Sequence, residues 1–489
     1  MSRTTEQPAP GQQPAPELQS AEPSGAEPSG AEQSGAEQPT NDRTTRRRRR
    51  TILLVVLAVL VVAAVVIAVV AVRSAAETPA EAVAATAPVP VRVAHVPDGT
   101  KIGVVVTLGD GEGSEWADAA QGALVAQRRL QLGGTTVQLV AQDDAGSTDG
   151  ARAAVEALAK QGVAGIVVAS SGRHVDGAFA AASSAGIPVV APYAAGSDDA
   201  WSTAPSTDST ASAMRSALGS AKSPLLVDLG GGAPSGLQVA HVVDAVRDAD
   251  TAALATTIAE RTGVAAQTAD TTTGSGADAP VAADSDAVVL SGPAARQGAL
   301  VAALQSADVT APIILTADAT SPTFAAALTQ AGGSLSGGFR TVGVETDDAR
   351  ALHPDATGRS MSAFLGGLRV LADDADAKNL TGDRPFSSVA PVADARSHDA
   401  VIALVRAVGT ARSDEPSAVA DALATLDLSG SDGLAGPDLV FRTHEAMRSP
   451  ASVLASSAQD LGLRPAASDD SADASGSPSL VWFADDTER

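Results

Sequence analysis

Lys101-Ile-Gly-Val-Val-Val-Thr-Leu108, a run rich in β-branched residues bounded by Gly109, decides the fold. Apolar residues at helical spacing follow it over 117–132, so a buried strand leads into a covering helix. The unit then repeats. Thr136-Val-Gln-Leu-Val-Ala-Gln-Asp-Asp144 reads as a second strand and 150–161 as its helix. Val163-Ala-Gly-Ile-Val-Val-Ala169 reads as a third strand, which stops at Ser170-Ser-Gly172. After one more helix comes Gly186-Ile-Pro-Val-Val-Ala-Pro-Tyr193. Strands alternating with helices of this length predict a parallel sheet covered on both faces, with ligands at the carboxyl ends of the strands. Those ends fall at 108–115, 170–174 and 192–196.

Upstream, residues 1–50 are nearly devoid of apolar side chains and repeat Ala21-Glu-Pro-Ser-Gly as Ala26-Glu-Pro-Ser-Gly and Ala31-Glu-Gln-Ser-Gly. Such a segment buries too little surface to offset the entropy of ordering, so a solvated tail is expected. It ends in Arg46 to Arg50, and Ile52 to Val72 is then apolar without a break. At about 1.5 Å per residue this crosses a hydrocarbon core of about 30 Å. A cleaved signal peptide is the alternative, but its apolar region is shorter, roughly 7 to 15 residues. Arginines crowd one flank against a single Arg73 on the other, which orients the amino terminus toward the cytoplasm and everything after the span outward. Residues 75–97 are rich in Ala and Pro, as in a semi-extended stalk.

Composition bounds the remainder. Roughly 370 residues are left for folding, enough for two lobes. The net charge is −24, and within residues 1–50 seven arginines balance seven acids, so the excess lies in the outward part. An acidic body of this size argues against nucleic acid or anionic lipid as its ligand. There is no cysteine, hence neither a disulfide nor a lipidated cysteine anchor.

A second set of strands and helices follows a polar, proline-containing crossing at 204–212. Pro224-Leu-Leu-Val-Asp228 reads as a strand, and 237–248 as a helix with Val239, Val242, Val243 and Val246 on one face. Residues 252–258 are a further strand candidate. Asp286-Ala-Val-Val-Leu290, Pro312-Ile-Ile-Leu-Thr316 and Gly338-Phe-Arg-Thr-Val-Gly343 complete the second sheet, with helices at 293–307 and 324–331. Helices at 360–373, 395–410 and 416–426 come next, then a closing strand at Asp438-Leu-Val-Phe-Arg442. Residues 465–478 are Ser/Asp/Ala-rich, and Leu480-Val-Trp-Phe483 either pairs with a sheet edge or has no structural part.

Chemistry is sparsely encoded. Gly109-Asp-Gly-Glu-Gly-Ser114 joins strand to helix, yet it matches neither the dinucleotide fingerprint nor the P-loop, and its acids repel phosphate. A flexible turn at the cleft mouth is the expectation. The six histidines show no metal-ligand spacing, and no Gly-x-Ser-x-Gly elbow occurs, so no cofactor, no metal and no enzymatic activity are expected. Ser170 and Ser171 at a strand-to-helix turn suit either a carboxylate receptor or simple helix capping.

The order of Ile102-Gly-Val-Val-Val-Thr-Leu108, Gly122, Asp143-Asp144, Ser170-Ser171 and Ile187-Pro-Val-Val-Ala-Pro192 resembles the branched-chain amino-acid-binding proteins, extracytoplasmic receptors of ABC importers. The likeness spans about 101–444. It implies a two-lobed α/β type I periplasmic-binding fold, each lobe a doubly wound parallel sheet, here preceded by one transmembrane helix. It also implies a ligand carboxylate held by Ser170, Ser171, Ala194 and Ala195 beside Tyr193, and a ligand ammonium held by Asp318. The first-lobe aromatic of that family falls on Glu115 or Trp116. Its second-lobe aromatics fall on Gly232 to Gly236 and Ser291 to Pro293, where no ring is present, and the threonine common at Ala195 is absent. An Asx turn is the plainer role for Asp318.

The expected organisation is a cytoplasmic tail (1–50), a membrane span (51–73), a linker (74–98), lobe one (99–207), lobe two (208–343), a return to lobe one (344–445) and a largely disordered tail (446–489). The expected work is capture of an amino acid or similar small zwitterion for an ABC permease, at the outer face of the cell membrane. A scaffold that keeps the fold with an idle cleft is the alternative, and an extracellular hydrolase a more distant one.

Overall fold

The computed structural model describes residues 89–247, 250–264, 283–465 and 479–485. The expected tail (1–50), the span (51–73) and most of the linker lie outside these residues. None of the helices that are described is long and apolar enough to cross a membrane.

Lobe one is built on β1 (Lys101–Val106), β2 (Gln138–Asp143), β3 (Gly165–Val168), β4 (Val189–Ala191) and β5 (Trp201–Ser202), in the order β2-β1-β3-β4-β5. Every pairing is parallel. Alternation along β1 supplies both faces of the sheet. Ile102, Val104 and Val106 pack with α1 (Gly122–Leu132), while Val105 packs with α2 (Thr148–Lys160) and α3 (Asp176–Ala185). Gly103 lets α2 settle onto the sheet, since a Cβ there would lie 2.8 Å from Leu158 Cδ1. Ser147 caps α2 by accepting the Gly150 amide, which starts the helix directly beyond the β2 end.

Lobe two carries α4 (Thr207–Leu218), β6 (Pro224–Asp228), β7 (His241–Asp244), α5 (Thr251–Arg261), β8 (Ala287–Ser291), α6 (Ala294–Ser306), β9 (Ile313–Leu315), α7 (Pro322–Gln330) and β10 (Arg340–Gly343). The chain returns through α8 (Asp347–Ala351), α9 (Ala356–Ala372), α10 (Ala395–Ala411) and α11 (Pro416–Leu423), then a small ribbon of β11 (Asp427–Leu428) and β12 (Leu439–Val440). It crosses back to lobe two for β13 (Ser452–Gln459) and β14 (Ser479–Ala484). The second sheet runs β14-β13-β10-β9-β8-β6-β7. Crossings between the lobes thus fall at 203–206, 344–346 and 448–451.

Four expectations are corrected. Residues 237–248 hold the edge strand β7 rather than a helix, paired parallel with β6 from Leu225↔His241 to Asp228↔Asp244. Gly230, Gly231, Gly232, Pro234 and Gly236 precede it and oppose helix nucleation, so the β-branched pair Val242-Val243 extends the sheet instead. Residues 252–258 belong to helix α5, whose start is marked by Asp250 accepting the amides of Ala252 and Ala253. The C-terminal tail is not largely disordered, because β13 and β14 join the sheet antiparallel, so lobe two is a mixed sheet and the pairing alternative for Leu480 to Phe483 holds. Residues 466–478 lie outside the described part. Finally, Leu439 and Val440 pair with β11, and Leu439 bridges to Met447, so the expected closing strand lies in a ribbon beside lobe one and not in its sheet.

Candidate functional site between the lobes

The loops at the carboxyl ends of β1, β4 and β9 meet across a chamber of about 260 Å³. Lobe one contributes Trp116, Tyr193, Ala194 and Ala195, lobe two contributes Asp318, and Arg396 projects from the first turn of α10. Five of the residues expected from the sequence are therefore brought together. Ser170 and Ser171 are not among those that line the space.

The aromatic wall is assembled by hydrogen bonds at its edges. Gly113, at φ 92°, turns the chain into the short helical turn Ser114–Trp116. The Trp116 ring stacks on Tyr193 with centroids 4.4 Å apart and planes 8° from parallel. Trp116 Nε1 donates to Ser171 Oγ at 3.0 Å, and the Tyr193 hydroxyl lies 2.7 Å from both Asp394 Oδ1 and Ser397 Oγ. Burial, reinforced by the charge of Asp394, drives the Tyr193 phenol well above its ordinary pKa. The guanidinium of Arg396 sits 4.4 Å from the Trp116 ring centroid and 4.7 Å from that of Tyr193, a cation-π arrangement.

Arg396 is placed by a glycine. A Cβ on Gly122 would run into the Asp394 carbonyl oxygen, so only glycine lets the loop entering α10 lie against α1. The Asp394 amide donates to Ala119 O at 3.0 Å, and Asp394 then caps α10 through the Ser397 amide. Its second oxygen accepts from Arg396 Nε at 2.8 Å.

Asp318 follows β9, where its Oδ2 accepts from Thr316 Oγ1 at 3.0 Å. No cationic side chain among the described residues pairs with it. Burial, with a contribution from the charge of Glu115, pushes its carboxyl up to about 6. An acid lifted in this way has room for a cationic partner.

The serine pair is engaged elsewhere. Ser170 is fully buried, 2.6 Å from Thr107 Oγ1 and 3.2 Å from His174 Nε2, in a cluster closed by Asp144. Burial would lower the His174 pKa, but hydrogen bonds and charge from Asp144 and Glu112 outweigh it and hold the ring above its usual value. The grouping is no catalytic triad. His174 meets both Ser170 and Asp144 through the same nitrogen, and nothing there reaches solvent. Ser171 donates to the chain's own Glu115 Oε1 at 3.1 Å, so a carboxylate already sits at the hydroxyl that the resemblance assigns to a ligand. The glycine turn at 109–114 is exposed at Gly109, Asp110 and Glu112, but Gly111 lies against Gly146 too closely for a Cβ on either. Among the described residues no group of three or more His, Cys, Asp or Glu is arranged to hold a metal ion.

Sequence reasoning missed Arg396 and Asp394. One signal was present: an arginine in the first turn of a helix opposes the helix dipole and so calls for a compensating partner, here Asp394.

Two hinged α/β lobes around such a chamber define a type I periplasmic-binding fold, the fold of leucine- and branched-chain amino-acid-binding proteins. A leucine-binding protein LivK from Thermotoga maritima superposes with a TM-score of 0.52 at 18% identity, covering 73% of this chain and 95% of that one. An extracellular ligand-binding receptor from Rhodopseudomonas palustris gives 0.52 at 15% identity, covering 73% and 98%. An ABC transporter substrate-binding protein from Desulfitobacterium hafniense, solved with leucine, gives 0.50 at 15% identity, covering 73% and 97%. No protein-family model matches the sequence, and no curated protein matches it.

Proposed function

We propose that the chain is a binding protein, not an enzyme, which captures an amino acid or similar small zwitterion between its lobes. The observation that carries this is the presence, in one interlobe chamber, of a half-buried carboxylate without a cationic partner among the described residues, Asp318, and the guanidinium of Arg396. Asp318 faces an ammonium group, and the Arg396 nitrogens beyond Nε face a carboxylate. The Trp116–Tyr193 pair supplies the apolar wall. Solved proteins of the same fold that are named for leucine support the reading at the level of ligand class. The chain works outside the cell, anchored by residues 51–73 and feeding an ABC permease in the same membrane.

A scaffold with an idle cleft is favoured by one specific contact. Glu115 O accepts from Ser321 Oγ at 2.8 Å and from Thr323 Oγ1 at 3.3 Å, so the lobes touch directly through the chain's own groups beside the chamber.

Thermal unfolding of the full-length chain against the common amino acids separates the two. A ligand raises the melting temperature as its concentration passes the dissociation constant. Loss of that rise in Asp318→Ala and Arg396→Met supports the site. No rise with any amino acid, together with a protein retained in pull-down, supports the scaffold.

A further inference from the structure

The interlobe space holds a second and larger chamber, of about 550 Å³, apart from Asp318 and the Trp116–Tyr193 wall. Thr320, Val344 and Arg396 line both chambers and so form a shared wall. Ala325, Ala326 and Leu335 of lobe two, Met361 and Pro437 of lobe one, and Trp482 of β14 make the larger one mainly apolar. A space of this size takes a drug-sized molecule.

The carboxylates on its wall are committed to partners. Asp347 and Asp348 pair with Arg464 at 3.1 and 2.6 Å, and Glu345 with His353 at 3.0 Å. Asp394 is held by Arg396, and Asp399 accepts the amides of Ala435 and Gly436 at 2.8 and 2.7 Å. Arg350 differs. Its guanidinium makes no hydrogen bond or ion pair with a described residue, and its Nε is buried without an acceptor. The Thr203 hydroxyl on the same wall is likewise buried and unpartnered, in a residue only 3% exposed. Arg350 is half-buried and feels the charge of Asp355, yet its guanidinium has no direct acceptor among the described residues and is left available to an anion in the chamber.

We propose that this chamber binds a second ligand, a monocarboxylate with an apolar aromatic or aliphatic body. Its carboxylate pairs with Arg350, its body lies against α7 and β14, and Thr203 offers a further hydrogen-bonding group. The proposal is independent of amino-acid binding in the smaller chamber.

The test uses the full-length chain with 4-phenylbutyrate, 4-phenylbutylamine and 4-phenylbutanol, read by melting temperature and tryptophan fluorescence. The carboxylate at millimolar concentration is expected to raise the melting temperature, with the amine and the alcohol weaker by about tenfold or more. Arg350→Met should abolish the preference for the carboxylate, and Arg350→Lys should keep part of it. Ala326 is an exposed residue on the chamber wall. Ala326→Trp therefore fills the space without disturbing the core, and should remove the response while leaving any amino-acid response in place. Asp318→Asn should do the opposite. No response to 4-phenylbutyrate, an equal response to the amine, survival in Ala326→Trp or loss in Asp318→Asn would each overturn the assignment.

Discussion

Asp318 is the residue whose chemistry decides most. Its raised pKa means that the folded chain holds a proton that the unfolded chain has released, between the ordinary carboxylate value and about 6. Stability from this group is fully present below the ordinary value and is lost as pH rises through about 6. Asp318→Asn should therefore stabilise the empty protein at pH above about 7 by roughly 2 kcal/mol and change little in acid, as read by urea unfolding at several pH values. Binding of an ammonium ligand should run the other way. Affinity should rise by up to about tenfold per pH unit below the Asp318 pKa and level off above it, and the Asn variant should flatten that profile. His174 has the opposite dependence on partners: Asp144 and Glu112 favour its protonated form, so what it contributes is lost as pH rises through its elevated pKa.

At the level of elements, the contact between α1 and the loop entering α10 positions the arginine. Gly122→Ala forces a methyl group onto the Asp394 carbonyl, which should cost about 1 to 3 kcal/mol by denaturant unfolding and displace Arg396. Amino-acid binding should fall with it, whereas a purely structural glycine would cost stability alone. This contact also shows what the sequence could and could not convey. The strands of lobe one were legible because β-branched runs such as Val104 to Val106 sit between helical patterns and glycine stops. Strand ends alone pointed to 192–196, since a parallel sheet directs those loops to one side, whereas Trp116 and Asp318 were named only through the resemblance to branched-chain amino-acid-binding proteins. Ser170 was misplaced because serine suits both an anion site and a buried hydroxyl relay, and the partners that choose, Thr107 and His174, come from other loops. Strand β7 was misread because Val239, Val242, Val243 and Val246 fit a helical period equally well. The cap that would have corrected the neighbouring helix was a single residue, Asp250.

Across the whole molecule, the segment after β13 ties lobe two to lobe one. Arg464 reaches Asp347 and Asp348 beside the hinge and the carbonyls of Pro391 and Ala393 on lobe one, at 3.2 and 2.6 Å for the latter pair. Arg369 adds hydrogen bonds to Leu463 O and Gly462 O. Burial lifts the Asp347 carboxyl to about 7 despite the opposing pull of Arg464, so a large part of the pair's attraction goes to offsetting desolvation. Removing one member should still be costly. Arg464→Ala should destabilise by about 3 kcal/mol and widen the spread of lobe separations, visible as a larger radius of gyration in solution scattering. An unchanged radius would assign the clasp to local packing only.

The central claim is that a small zwitterion lies between Asp318 and Arg396. Calorimetric titration of the full-length chain with the amino acid giving the largest melting shift tests it most directly. One ligand per chain is expected, with affinity weakened about tenfold or more in Asp318→Asn and in Arg396→Met alike. Absence of binding by every amino acid, or an affinity that neither substitution changes, would contradict it.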